Sequence, residues 1–156
     1  MKIIEGKILS PKSKIAIVVS RFNKSINNNL LDGALNTLKR VGQVKDDNIT
    51  IVWVPGAYEI PLIVNILSLK KFDAIIALAT IIKGNTSHFE FISSSCSSEI
   101  SSISIKNSLP IIFGILTTNN IEQAIERSGT KLGNKGIDAA LSALESINII
   151  KYIKNI

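Results

Sequence analysis

Ala77-Leu78-Ala79-Thr80-Ile81-Ile82-Lys83-Gly84-Asn85-Thr86-Ser87-His88-Phe89-Glu90-Phe91 reads as a strand that stops and a helix that starts, with reactive polarity packed between them. From Ile75 to Ile82 the chain is apolar and β-branched enough for a strand buried on both faces. Lys83-Gly84-Asn85 breaks it, and Thr86 or Ser87 can cap the first turn of the next helix. Phe89, Ile92, Cys96, Ile100 and Ile103 then fall on one face at helical spacing. The bare N–H groups of that helix start, with Lys83 beside them, have the parts of an anion site. His88, the only histidine of the chain, lies in the same turn.

The same alternation runs outward in both directions. Upstream, Ile3 to Leu9 alternates and can pair at a sheet edge, its own or a neighbour's. Ile15 to Val19 is a buried strand that runs into Ser20-Arg21-Phe22-Asn23. Leu30, Leu31, Ala34, Leu35, Leu38 and Val41 make a helix face that Gly42 can close. Ile49 to Val54 is a strand ended by Pro55-Gly56. Pro61 suits the first turn of a helix whose Leu62, Ile63, Ile66 and Leu67 should face inward. Downstream, Leu109 to Leu116 is a strand, and Thr117-Thr118-Asn119 should cap a short helix through Arg127 that Gly129 stops. A last helix, from about Asn134 to Tyr152, puts Ile137, Ala140, Leu141, Leu144 and Ile147 on one side. Strand and helix alternate throughout, which predicts a three-layer α/β/α sandwich around a mainly parallel four-stranded sheet, flavodoxin-like in class, with right-handed crossovers. In such folds ligands bind beyond the C-terminal ends of the strands, where Phe22, Gly56 to Glu59, Thr80 to His88 and Phe113 to Thr118 should lie.

The totals set bounds. With 156 residues the chain reads as one domain over 1–156, large enough for a real core. Net charge is +6, yet the 18 basic residues are scattered with few aromatics beside them, so anionic small molecules fit better than nucleic acid. Cys96 is the only cysteine and reads as a core thiol rather than a nucleophile. Met1 to Leu9 does not read as a signal peptide, and no apolar run approaches the roughly eighteen residues of a membrane helix. The expectation is a soluble, cytoplasmic protein.

Taken singly, the candidate residues are ambiguous. Phe22 can stack on a planar ring or pack in the core. Glu59 can bind ligand hydroxyls or complement a helix dipole. His88, near a helix N-terminus where a cationic imidazole is disfavoured, suits a proton shuttle or a structural role. Arg127 at a helix end needs no ligand to explain it. Gly129 to Gly136 looks phosphate-like but fails the P-loop pattern. No cluster has metal-ligand spacing, and no serine sits in a nucleophile elbow.

Together they carry a resemblance. Arg21-Phe22-Asn23, the block Trp53 to Pro61, Gly84 to Glu90, Phe113 to Thr118, Ile121 to Lys131 and Gly133 to Gly136 resemble the lumazine synthase family in order and spacing, over essentially the whole chain. That family makes 6,7-dimethyl-8-ribityllumazine, the penultimate step of riboflavin synthesis. It condenses 5-amino-6-(D-ribitylamino)uracil with 3,4-dihydroxy-2-butanone 4-phosphate, and uses neither metal nor organic cofactor. The resemblance implies that Phe22 stacks on the pyrimidine, that Ala57 and Glu59 meet the ribityl chain with Tyr58 between them as a further substrate-binding residue, and that Thr80, Ile81 and Ile82 line the pocket. Asn85, Thr86 and Arg127 should hold the phosphate, and His88 should move protons. Phe113 and Lys135 should reach in from the adjacent subunit of a homopentamer, built further into an icosahedral 60-mer, with riboflavin synthase as the implied partner. The N-terminal strand should pair with a neighbouring subunit.

Two departures from the family pattern stand out. Ala79 replaces a usual glycine and is expected to narrow the strand end. Ser93 to Ser102 is serine-rich where alanine and glycine are usual, at a cost of about half a kcal/mol per site in helix propensity. The rival reading is a non-catalytic flavodoxin-like module that binds a phospholigand, which explains the sheet and the glycine turn but not the joint presence of His88, Arg127 and Lys135.

Overall fold

Four strands, β1 (Ile15–Ser20), β2 (Ile49–Val54), β3 (Ala74–Ile82) and β4 (Ile111–Thr118), form one sheet in the order β2-β1-β3-β4, with every pair parallel. The coordinates are a computed structural model that describes residues 1–156. Five helices connect and cover the sheet: α1 (Lys24–Arg40), α2 (Ile60–Ser68), α3 (His88–Asn107), α4 (Ile121–Glu126) and α5 (Lys135–Lys154). The period-2 geometry of a strand sorts its side chains onto two faces. Ile15, Ile17 and Val19 of β1 and Ile76 and Leu78 of β3 join Leu30, Leu38, Leu144 and Ile147 under α1 and α5. Ala16 and Val18, with Ile75, Ala77 and Ala79, join Ile60, Val64, Cys96, Ile100 and Ile103 under α2 and α3. Both faces of the central strands are thus dry, which is why β1 and β3 are continuous apolar runs. Each such Leu or Ile contributes roughly 1.5–3 kcal/mol by leaving water. No helix is long and apolar enough to cross a membrane.

Several expectations need correction. Leu62 and Ile66 face outward, at 63 % and 47 % exposure, while Ile60 and Val64 are the buried positions of α2. Its sequence is apolar nearly all round, so periodicity could not choose a face. Val41 and Ile137 are likewise exposed. β4 runs on through Thr118, and Asn120, rather than Thr117 to Asn119, caps α4 by accepting from the Gln123 N–H at 2.9 Å. Gly42 does end α1, but the left-handed residue is Gln43, at φ 54°. Glycine is required at 42 because a Cβ there would meet Leu144 Cδ2 at 2.7 Å.

The N-terminal arm pairs with no strand of its own sheet. It lies along α5, where the Asn148 side-chain amide donates to the carbonyls of Lys7 and Leu9, and Lys2 Nζ sits 5.4 Å from the Tyr152 ring centre. One element had no sequence signal. After α4 comes a short antiparallel hairpin, β5 (Ser128–Thr130) and β6 (Gly133–Asn134), whose strands are too short to show any period.

Candidate active site

The chain goes from β1 outward to β2, then returns to the other side of β1 for β3. The sheet therefore splits its connections between β1 and β3, and a crevice opens beyond their C-terminal ends. A cavity of about 830 Å³ fills it. One wall is the end of β1. Arg21 N–H donates to Val54 O (2.8 Å) and Phe22 N–H to Pro55 O (3.1 Å), so the loop continues the ladder for two residues past the strand. Phe22 is 72 % exposed beside the cavity, which removes the core-packing alternative for its ring.

The second wall follows β2. Pro55 and Gly56 lead into a single 3-10 turn, Ala57–Glu59, and Ala57, Tyr58 and Glu59 all line the cavity. Glu59 Oε2 accepts the Gly56 N–H at 2.8 Å, the one half of a capping box that a glycine N-cap allows, and this fixes the turn. This is closer to the helix-start alternative for Glu59, though its carboxylate stays in the lining. The third wall is the end of β3, with Thr80, Ile81, Ile82 and Gly84. A Cβ on Gly84 would meet no protein atom within 4 Å, so the glycine leaves its space to the cavity.

The floor is the first turn of α3, with Thr86, His88, Phe89 and Ile92. Neither expected cap forms well there. Ser87 is the N-cap residue but makes no side-chain bond, and Thr86 Oγ1 takes the His88 N–H only at 3.4 Å. The helix therefore leaves most of its first N–H groups free to meet an anion. Lys83 is less free than expected, since its Nζ lies 3.5 Å from Glu90 Oε1. Asn85 is exposed between two lining residues but does not itself line the cavity. Ala79 does not narrow the opening. It is fully buried among the core residues under α2 and α3.

Three expected site residues lie elsewhere in the protomer. Phe113 pairs in register with Ala77, in the body of the sheet rather than at a strand end. Arg127 closes α4 and Lys135 opens α5, and the hairpin brings them together: Lys135 N–H donates to Arg127 O at 2.9 Å. Both side chains are exposed, and neither lines the cavity. Asn134 holds this pair in place. Its Oδ1 accepts from Gly136 N (2.8 Å) and Ile137 N (3.4 Å), capping α5, while its Nδ2 donates to Asn29 O (2.9 Å) and Ser128 O (3.1 Å).

Sequence reasoning missed the polar groups that hold the walls. Asn23 takes the left-handed conformation (φ 60°), which asparagine tolerates, and its Nδ2 donates to Thr80 O at 2.8 Å. Asn27 is fully buried beneath it. The available signal was its place on the Leu30, Leu31, Ala34, Leu38 stripe, where a polar residue must find partners.

Cys96 sits under the Ala57 turn with Sγ 3.5 Å from Ala57 O. Burial pushes its thiol up from the ordinary 9.0 to about 11. At pH 8 its thiolate fraction is then about a hundredfold below that of a free cysteine, and an aromatic disulfide reagent should label native protein slower by at least that factor. Labelling at the rate of a free thiol would show that the α2–α3 layer is open. Below pH 9 the thiol is neutral in the folded and unfolded chain alike, and above it the unfolded chain ionises first. This contribution to stability is therefore lost as pH rises toward 11.

No three His, Cys, Asp or Glu side chains gather so as to hold a metal ion. A parallel α/β sheet with a cavity of this size at the switch point, walled by an exposed aromatic ring and floored by a helix start with a histidine, has the architecture of the α/β proteins that bind ligands beyond their strand ends. Residues 12–151 match the family described as 6,7-dimethyl-8-ribityllumazine synthase. The chain is 57 % identical over 155 residues to the 6,7-dimethyl-8-ribityllumazine synthase of Yersinia pestis (strain Pestoides F), covering 99 % of each chain. It is similar to the same extent to that of Yersinia pseudotuberculosis serotype O:1b (strain IP 31758). The chain belongs to the 6,7-dimethyl-8-ribityllumazine synthase family.

Proposed function

We propose that the cavity is where this chain, a transferase of riboflavin biosynthesis, condenses 5-amino-6-(D-ribitylamino)uracil with 3,4-dihydroxy-2-butanone 4-phosphate. The observation that carries the reading is the placement of Phe22 and His88 on one cavity with the Ala57–Glu59 turn between β2 and α2. An aromatic ring for a flat pyrimidine, a polar turn for a polyol and a helix start for a phosphate meet there. The uracil amine attacks the ketone and water leaves to form an imine. Phosphate is eliminated, and ring closure releases a second water, giving the lumazine, phosphate and two waters. These steps need aligned reactants and proton transfers more than a strong nucleophile.

In this assignment Phe22 stacks on the pyrimidine, and Ala57, Tyr58 and Glu59 meet the ribityl chain. Thr80, Ile81 and Ile82 form the wall behind it. Asn85 and Thr86 offer the phosphate the open first turn of α3, and His88 exchanges protons with the reacting nitrogen and oxygen atoms. Phe113, Lys135 and, because the hairpin ties it to Lys135, also Arg127 come from the adjacent subunit. A homopentamer supplies such a neighbour, and twelve pentamers would close an icosahedral 60-mer. Exposed apolar side chains outside the cavity support burial between subunits: Leu62, Leu69, Phe91 and Ile105 are each more than 60 % exposed. The N-terminal arm is the segment that would add to a neighbouring subunit. Residues 1–156 act as one cytoplasmic domain, and riboflavin synthase, which uses the product, is the partner enzyme.

Mixing the protein with both substrates and following the lumazine chromophore tests the reaction. Formation above the uncatalysed rate, inhibited by inorganic phosphate, is expected; ligand binding without turnover would leave only the binding-module reading. His88→Ala should lower kcat about ten- to a hundredfold, the lower range for general acid–base catalysis, because positioning carries the rest. A folded His88→Ala protein with no activity at all would assign His88 a larger part than this.

A further inference from the structure

Phe22 is held in the cavity wall by very little of its own surface. The residue is 72 % exposed, so packing alone cannot set the direction of its ring. The backbone beneath it has to do so, and that backbone makes a left-handed turn at Asn23. The one fully buried carboxamide of the chain, Asn27, lies under this turn. Its Nδ2 donates to Ser20 O and to Phe22 O, both at 2.8 Å, and its Oδ1 accepts from Thr80 Oγ1 at 2.7 Å. All three partners line the cavity, while Asn27 does not. One side chain thus ties the end of β1, the Phe22 loop and the end of β3 across the switch point.

We infer that Asn27 is a positioning residue of the site, fixing the Phe22 ring for the planar heterocyclic substrate without touching that substrate. The inference rests on the role proposed for Phe22 in binding the pyrimidine. If the Asn27 side chain is removed, the buried Ser20 carbonyl and the part-buried Phe22 carbonyl lose a donor and the Thr80 hydroxyl loses its acceptor, so the loop must move to find new partners. The effect should therefore fall on the ring-bearing substrate and act through Phe22.

The test is a double-mutant cycle with steady-state kinetics on both substrates. Asn27→Ala should raise KM for the ribitylaminouracil about tenfold, the cost of one to two buried hydrogen bonds, and leave KM for the butanone phosphate within about twofold. In a Phe22→Ala background, Asn27→Ala should add less than about twofold, because the ring it positions is gone. Asn27→Ser, which keeps one hydroxyl to bridge the gap, should fall between wild type and alanine and covers the case in which the alanine variant does not fold. Equal rises for both substrates, multiplicative effects of the two substitutions, or an unchanged KM would each overturn the inference. Affinity of the same proteins for the lumazine, read by fluorescence, repeats the comparison without turnover. A wild-type protein that binds lumazine with the expected pattern but makes none would sink the proposed reaction and keep Asn27 in its role.

Discussion

Gly136→Ala should destabilise the fold by about 3 kcal/mol, read as a fall in the denaturant midpoint, although alanine is the better helix former by about 1 kcal/mol. The sign is decided by where α5 crosses α1. A Cβ on Gly136 would overlap the Leu30 carbonyl oxygen and lie 2.7 Å from its carbon. That carbonyl is backbone on the buried face in the middle of α1 and cannot swing aside as a long side chain would. On the same crossing, a Cβ on Gly33 would come within 2.6 Å of the Asn134 amide. At Gly136 the backbone of α1 is met by nothing larger than hydrogen, and an added methyl group must separate the two helices. Gly84→Ala is the matched control: nothing lies within 4 Å of its Cβ position, and stability should change by less than about 0.5 kcal/mol. An unchanged or higher midpoint for Gly136→Ala would mean that α1 and α5 do not approach this closely. The consequence extends to function, because the first turn of α5 carries Lys135 and the Asn134 cap.

Where the sequence was legible, a single physical constraint dominated. β1 and β3 are buried on both faces, so only continuous apolar, β-branched runs serve, and both were found nearly to the residue. α2 was legible as a helix but not in orientation, because Ile60-Pro61-Leu62-Ile63-Val64 offers no polar side to turn outward. The exposure of Leu62 and Ile66 on an isolated protomer is the reverse side of that ambiguity. The cavity was legible because its walls are short contiguous segments at strand ends. Asn27 was missed although it stands on the apolar stripe of α1, because the stripe shows that it is buried but not which three partners it ties together. Nor was the nearness of Arg127 to Lys135, because a hairpin with strands of three and two residues has no pattern, only Gly129 and Gly133 at positive φ to mark it.

That hairpin sets up the last expected result. Arg127→Ala should raise KM for the butanone phosphate about ten- to a hundredfold, with KM for the ribitylaminouracil nearly unchanged. A guanidinium–phosphate pair is charge-assisted and commonly bidentate, and losing about 1.5–3 kcal/mol gives that range. Arg127→Lys, which keeps the charge and loses the fork, should fall between. The fold should not suffer. The hairpin uses the backbone carbonyl of Arg127, while its side chain is exposed and makes no hydrogen bond or ion pair within the chain. An unchanged KM for the phosphate substrate would remove Arg127 from the site. Subunit mixing then separates the two ways of placing it. His88 lines the cavity of its own chain, whereas Arg127 and Lys135 share a patch away from it. If a neighbour supplies the patch, co-assembled His88→Ala and Arg127→Ala chains leave roughly a quarter of the sites with both native residues, and activity rises above either variant alone. If one chain supplied both, no mixed assembly would contain an intact site, and mixing would restore nothing.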